Sequence, residues 1–249
     1  MKIIDTHQHL IYPDRFRYSW TASVPALHGK PFRLEEYRAA AARTGIAETL
    51  FMEVDVDEVN IRSEAAFFLQ MADDPVNRMP GVIAACRPEH PGFAAELEAI
   101  LHPKLKGLRR VLHTGPDELS QQPLFAENIA RLEEHRLTFD LCLLSRQLPL
   151  GKTLLRTIPD VQFVLDHCGI PDIRGGGLDR GGSTSATSPR SPTSSARFPA
   201  LSPIAIRSAS PSSRSVRTSS IASNASAGIA SCSAATGPCK ISPPASGNG

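Results

Sequence analysis

The stretch Ile3-Ile4-Asp5-Thr6-His7-Gln8-His9 begins apolar and ends in two histidines at i and i+2. In an extended strand, side chains two residues apart leave on the same face, so the two imidazoles are expected to emerge together at the strand's C-terminal end. Parallel α/β folds gather binding and catalytic groups at that end. Neutral imidazoles placed there can ligate one divalent metal or hydrogen-bond a substrate oxyanion directly. Two polar residues that merely finish a strand are the plain alternative, and the apolar start just before the motif weighs against it.

Five more short apolar runs follow, at Glu48–Val54, Met79–Cys86, Lys106–Leu112, Leu137–Leu143 and Val161–Asp166. With Lys2–Thr6 they are the expected buried strands. Helical stripes separate them: Leu34–Arg43 ending at Gly45, Val59–Ala72 with Ile61, Ala65, Phe68, Leu69 and Ala72 on one face, then Gly92–Leu101, Pro123–His135 and Leu148–Thr157. This alternation predicts βαβ units around a parallel sheet. The expected class is therefore α/β, of the (β/α)8 TIM-barrel type, truncated after about six strands. A doubly wound open sheet shares the alternation, but no G-x-G-x-x-G follows the first strand as a dinucleotide fold would require. Gly175-Gly176-Gly177 reads as a flexible turn. Leu10–Arg33, with Tyr12, Tyr18, Trp20 and several prolines, is a long first βα loop.

The second informative stretch is Val161-Gln162-Phe163-Val164-Leu165-Asp166-His167-Cys168-Gly169-Ile170-Pro171. A buried strand runs straight into Asp-His, which places His167 at the mouth, with Gly169 and Pro171 turning the chain away. A satisfied structural histidine is the bland reading. In the fourth strand Arg109 and Arg110 are adjacent, so alternation sends one inward and the other outward. An inward arginine can bind a substrate carboxylate or hydroxyls bidentately; a solvated pair at a strand edge is the competing view. Glu53, Asp55 and Asp57 read as helix N-caps ahead of mouth carboxylates. His113 is a candidate to face the pocket, whereas His28, His90, His102 and His135 are expected in loops or on helix surfaces.

Together the Asp5-Thr6-His7-Gln8-His9 opening, the Lys106-Gly107-Leu108-Arg109-Arg110 strand and the Leu165-Asp166-His167-Cys168-Gly169-Ile170-Pro171 motif resemble the amidohydrolase-related family that includes L-fuconolactonase and pyrone-dicarboxylate lactonase. The resemblance covers residues 1–179. It implies a (β/α)8 barrel in which His7, His9 and His167 surround the scissile carbonyl and Arg109 or Arg110 binds substrate. The implied reaction is hydrolysis of a cyclic ester, either a sugar lactone or a carboxylated one. Water activated by a carboxylate base attacks the carbonyl while histidines or a metal stabilise the oxyanion. Members of this branch differ in metal use, so the implied cofactor is either a divalent ion such as zinc on His7 and His9 or none. A metal-dependent amidase or decarboxylase on the same fold is the nearest rival, and a catalytically dead fragment or ligand-binding protein is the rival from another class.

The family's base is an aspartate at the end of strand eight, in a Gly-Ser-Asp-Trp-Pro-like stretch, and here no acidic residue follows Asp179. Beyond that point His, Trp and Tyr are also absent, and serine dominates. Residues 1–179 carry a net charge of −5 and residues 180–249 one of +7, so the overall +2 describes neither part. Low-complexity Ser/Pro/Arg sequence reads as a disordered tail. A sharper expectation is a frameshift: back-translation of Ala225–Cys239 in the neighbouring frame permits Arg-Phe-Gly-Trp-Asp-Arg-Val-Val-Phe-Gly-Ser-Asp-Trp-Pro-Val. The acidic front part argues against nucleic acid as a partner and for a small-molecule substrate. Cys86, Cys142, Cys168, Cys232 and Cys239 have no CxxC spacing, no signal peptide or membrane span is evident, and a cytoplasmic location is expected.

Overall fold

The structure, a computed structural model, describes residues 3–171. Strands and helices alternate: β1 (Ile3–Gln8), α1 (Leu34–Ala41), β2 (Ile46–Met52), α2 (Ile61–Asp73), β3 (Val82–Ala85), α3 (Phe93–Ile100), β4 (Leu105–Val111), α4 (Pro123–Ala130), β5 (Thr138–Cys142), α5 (Leu148–Thr157) and β6 (Gln162–Leu165). Each expected strand and helix is present, with its ends moved by a few residues. The six strands form one sheet in the order β1-β2-β3-β4-β5-β6, every neighbour parallel. A doubly wound sheet reverses its strand order at a switch point, so this sequential order excludes it. Sequential parallel strands with outer helices are a barrel wall, and the six among the described residues make up part of one. The Asp179 boundary, the triple glycine and the tail lie outside the described residues.

The sheet curls, because the ring of His7 at the end of β1 lies 4.6 Å from that of His167 just beyond β6. Between sheet and helices the apolar face of each strand is filled by large side chains. Phe51 of β2 stacks on Phe68 of α2 at 3.4 Å, and Phe139 of β5 meets Phe125 of α4 and Phe163 of β6 edge-on at 6.0 Å each. Full burial of one such ring stabilises the fold by roughly 1.5–3 kcal/mol. The β4–β5 approach depends on Gly107: a Cβ there would lie 2.8 Å from the Thr138 carbonyl oxygen, a contact no other residue type avoids.

The long first loop is tied down at both ends. Ile11 and Phe32 exchange two backbone hydrogen bonds of 2.9 Å that close its base, while the Trp20 indole donates to the Val54 carbonyl at 2.8 Å beside the end of β2. Tyr12 and Phe16 pack edge-on against Phe67 of α2. Aromatic residues in a loop thus serve as its anchors, which fixes one wall of the mouth. Among the described residues, no helix is long and apolar enough to cross a membrane.

Candidate functional site

β1 reaches the mouth through a bulge. Asp5 pairs with Thr49 and Gln8 with Phe51, so three steps along β1 match two along β2. The extra residue resets the alternation. Asp5 turns to the helix layer and accepts a hydrogen bond from the Tyr37 hydroxyl of α1 at 2.7 Å, while the rings of His7 and His9 meet edge to face at 4.8 Å. Unbroken period two would have put Asp5 beside the histidines.

His7, Asp166 and His167 offer ligand atoms that all lie within 4.8 Å of one another. His7 Nδ1 is 3.6 Å from Asp166 Oδ1. Both ring nitrogens of His7 and Oδ1 of Asp166 are buried without a hydrogen-bond partner. Each such group costs about 1–3 kcal/mol, so several facing one point mark a place that a ligand would satisfy. His9 is oriented differently: its Nδ1 lies 3.0 Å from the Met52 carbonyl. A carbonyl only accepts, so Nδ1 carries the proton and Nε2 the lone pair.

Burial keeps these imidazoles uncharged. It lowers His9 to about 3, with Arg109 adding to the effect. His7 is lowered by burial and then by the neighbouring His9 and Arg109, and His167 by burial against the opposing pull of Asp166. Neutral imidazole is the form that binds metal, and two such nitrogens with one carboxylate oxygen suit a zinc-like divalent ion. The residues therefore fit the implied metal: the ligand atoms of His7, Asp166 and His167 gather within 4.8 Å, and the ring of His9 stands 4.8 Å from that of His7. Asp166 escaped sequence reasoning because it looked like the last residue of a strand. Its signal was adjacency to His167.

The backbone after β6 is what brings His167 into place. His167, Cys168, Gly169 and Ile170 have successive φ values of 50°, 55°, 71° and 42°. Glycine accepts that region freely, but Cys168 and the β-branched Ile170 do not. Strain on the order of 1–3 kcal/mol per residue is typical of backbone held in position at functional sites.

Arg109 is the inward arginine, and only 4% of it is exposed. Nε donates to Glu53 Oε1, Nη1 to Asp166 Oδ2 at 3.1 Å and Nη2 to the Glu53 carbonyl at 2.8 Å. Burial works against its charge, but Glu53 and Asp166 outweigh that and raise its pKa. Arg110 pairs with Glu89, Nε at 2.9 Å and Nη2 at 2.8 Å. The N-cap expectation for Glu53, Asp55 and Asp57 is corrected. Glu53 is buried against Arg109 and accepts from the Asp55 amide at 2.7 Å, Asp55 lies 3.6 Å from Arg87, and Asp57 accepts from the amide and hydroxyl of Ser19 at 2.7 and 2.6 Å. Asn60 stands at the N-cap of α2, and its side chain makes no capping hydrogen bond. Close packing against the first loop and β4 gives these carboxylates stronger partners than a helix terminus would.

Two further buried carboxyls are shifted upward. Burial and then the Asp166 charge push Asp140 well above the usual range, and burial with Glu53 raises Glu64 to about 8. His113 reaches the mouth, with Nδ1 3.3 Å from Cys142 Sγ. His90, His102 and His135 lie beside Glu58, Asp73 and Glu98 at 3.5, 3.2 and 3.6 Å, and His28 is in the first loop, as expected.

Comparison with known proteins now adds to this geometry. The family model described as Amidohydrolase matches residues 4–207. An uncharacterised protein of Sinorhizobium fredii, y4mH, is 25% identical over 187 residues, covering 68% of this chain and 62% of that protein. Among solved structures, an amidohydrolase from Burkholderia multivorans with bound zinc superposes with a TM-score of 0.64 at 23% identity, covering 74% of this chain and 64% of that one. A protein from Acinetobacter baumannii described as a probable 2-pyrone-4,6-dicarboxylic acid hydrolase, with citric acid bound, gives 0.54 at 15% identity, covering 68% and 59%. The chain thus spans less than two thirds of the length of each of these relatives.

Proposed function

The chain belongs to the amidohydrolase family, a family of hydrolases, and from that premise we propose that its site hydrolyses an uncharged lactone of the sugar-lactone kind. The observation that carries the reading is the group of uncharged histidines at the strand ends, with unpartnered nitrogens facing the Asp166 carboxylate. Such a group can take up a carbonyl and the water that attacks it. His7, Asp166 and His167 are the residues that would hold a divalent ion, and when bound it would polarise the carbonyl and ease deprotonation of water. The unprotonated Nε2 of His9 can accept a hydrogen bond from a substrate hydroxyl or from the water.

The charges around the mouth support the uncharged kind of lactone. Arg87 faces Asp55, Arg109 faces Glu53 and Asp166, and Arg110 faces Glu89. Among the described residues these three guanidinium groups are already matched by acids, and a substrate carboxylate would enter beside Glu53, Asp55 and Glu89. Like charges at that range oppose binding. A polyhydroxylated, uncharged ring meets no such opposition.

The attacking water needs a base, and in this reading it is the strand-eight aspartate that the shifted frame would restore. The test is therefore made on two polypeptides, the chain as given and the one obtained by resequencing across the Asp179 codon and restoring the frame. Both are assayed with added zinc on a sugar lactone, 2-pyrone-4,6-dicarboxylate and an amide. Expected are turnover of the sugar lactone by the restored chain and a loss of roughly 100-fold or more in His167→Ala. Preference for the dicarboxylate or the amide would overturn the substrate assignment, and a single open frame in the DNA would overturn the account of the tail.

A further inference from the structure

Arg109 is the residue whose placement departs most from a substrate-binding role. It is almost wholly buried, and each of its three nitrogens donates to a protein acceptor. Its two carboxylate partners come from opposite sides of the curled sheet, Glu53 beyond β2 and Asp166 beyond β6. Glu53 is itself immobilised, with one oxygen on Arg109 and the other on the Asp55 amide at 2.7 Å. Asp166 has only one oxygen engaged: Oδ2 receives Arg109 Nη1, and Oδ1 is left unpartnered 3.6 Å from His7 Nδ1.

We propose that Glu53 and Arg109 are positioning residues that clamp the Asp166 carboxylate so that its free oxygen is presented to His7 and to the point the histidines share. A guanidinium is suited to this because its planar fork fixes the orientation of both carboxylates, which a lysine ammonium, as a point charge, does not. With Oδ1 held 3.6 Å from Nδ1, the charge of the carboxylate favours the His7 proton on Nδ1, which leaves the lone pair on Nε2. This is how carboxylates set the tautomer of metal-binding histidines. The inference deepens the proposed site and rests on that reading only where a metal is concerned. The clamp itself is a property of the protein without metal.

The experiment uses the full chain. Ring 15N NMR of metal-free protein reads the tautomers of His7 and His9 in wild type, Arg109→Lys and Glu53→Gln, and Co2+ titration then reads affinity from the visible absorption of the bound ion. Expected are Nδ1-protonated His7 in wild type, loss of that preference in both variants, and Co2+ binding about 10–100-fold weaker in Arg109→Lys. His9, held by the Met52 carbonyl, must keep its tautomer throughout, which separates a local effect from loss of fold. If Arg109→Lys does not fold, Glu53→Gln carries the same reading with a neutral isostere. Unchanged His7 in a folded variant overturns the clamp. Absence of Co2+ binding in wild type overturns the metal reading alone, and the tautomer result still decides the clamp.

Discussion

The mouth ends of β1 and of β4 are both buried and polar, yet they have opposite hydrogen-bond inventories. Every nitrogen of Arg109 on β4 has a protein acceptor, whereas neither ring nitrogen of His7 on β1 has one. Buried groups satisfied by the protein belong to the framework, and their loss is felt as instability. Buried groups left unsatisfied make the folded protein less stable than it could be, and they persist where something from solution completes them. The contrast separates two residues that the sequence had grouped together as site candidates.

The sharpest way to break it is to remove each side chain in turn. Arg109→Met leaves Glu53 and Asp166 buried without a cation and is expected to cost about 3–5 kcal/mol in urea denaturation. His7→Ala removes groups that had no partner, and its cost should stay below about 1 kcal/mol despite the lost packing. Equal costs for the two would erase the distinction. The next effect comes from filling the unsatisfied end: zinc at about 100 times its dissociation constant should stabilise wild type by about 2.7 kcal/mol, and His7→Ala by much less, as read by the shift in melting temperature.

Glu64 tests the framework side through pH. Its folded pKa, about 8, lies above the ordinary 4.5, so the folded protein holds the proton longer than the unfolded chain. Its contribution is fully present below pH 4.5 and is lost as pH rises through about 8. Denaturation at pH 5 and pH 8 should differ by up to about 3.5 kcal/mol from this group, and Glu64→Gln should flatten that difference. If the wild-type and Glu64→Gln profiles are parallel, Glu64 ionises freely. The smallest expected effect is at Cys168, whose φ of 55° glycine adopts without strain. Cys168→Gly should raise stability by about 1 kcal/mol, and a loss would show that its side chain holds the turn.

Much of this was legible in the sequence. Alternating strand and helix patterns placed all six strands and five α-helices of residues 3–171, and the histidines at the ends of β1 and β6 were recognisable from where the apolar runs stop. Three features were not. The β1 bulge adds one residue without changing composition, so period two gave the right face for His7 and His9 by a route the backbone does not follow. The pairing of Glu53 with Arg109 joins residues 56 positions apart, and adjacency in sequence carries no trace of it; three acids before a helix look like caps until the loop that competes for them is in place. Asp166 was read as the end of a strand because its role depends on the turn at His167–Ile170, where non-glycine residues take glycine-like angles against their preference.

The most direct test of the account is calorimetric titration of the full chain with zinc, compared with His7→Ala, Asp166→Asn, His167→Ala and Arg110→Ala. One saturable site is expected in wild type, lost in the first three variants and retained in Arg110→Ala. No saturable binding in wild type, or binding that survives His7→Ala and His167→Ala, would contradict it.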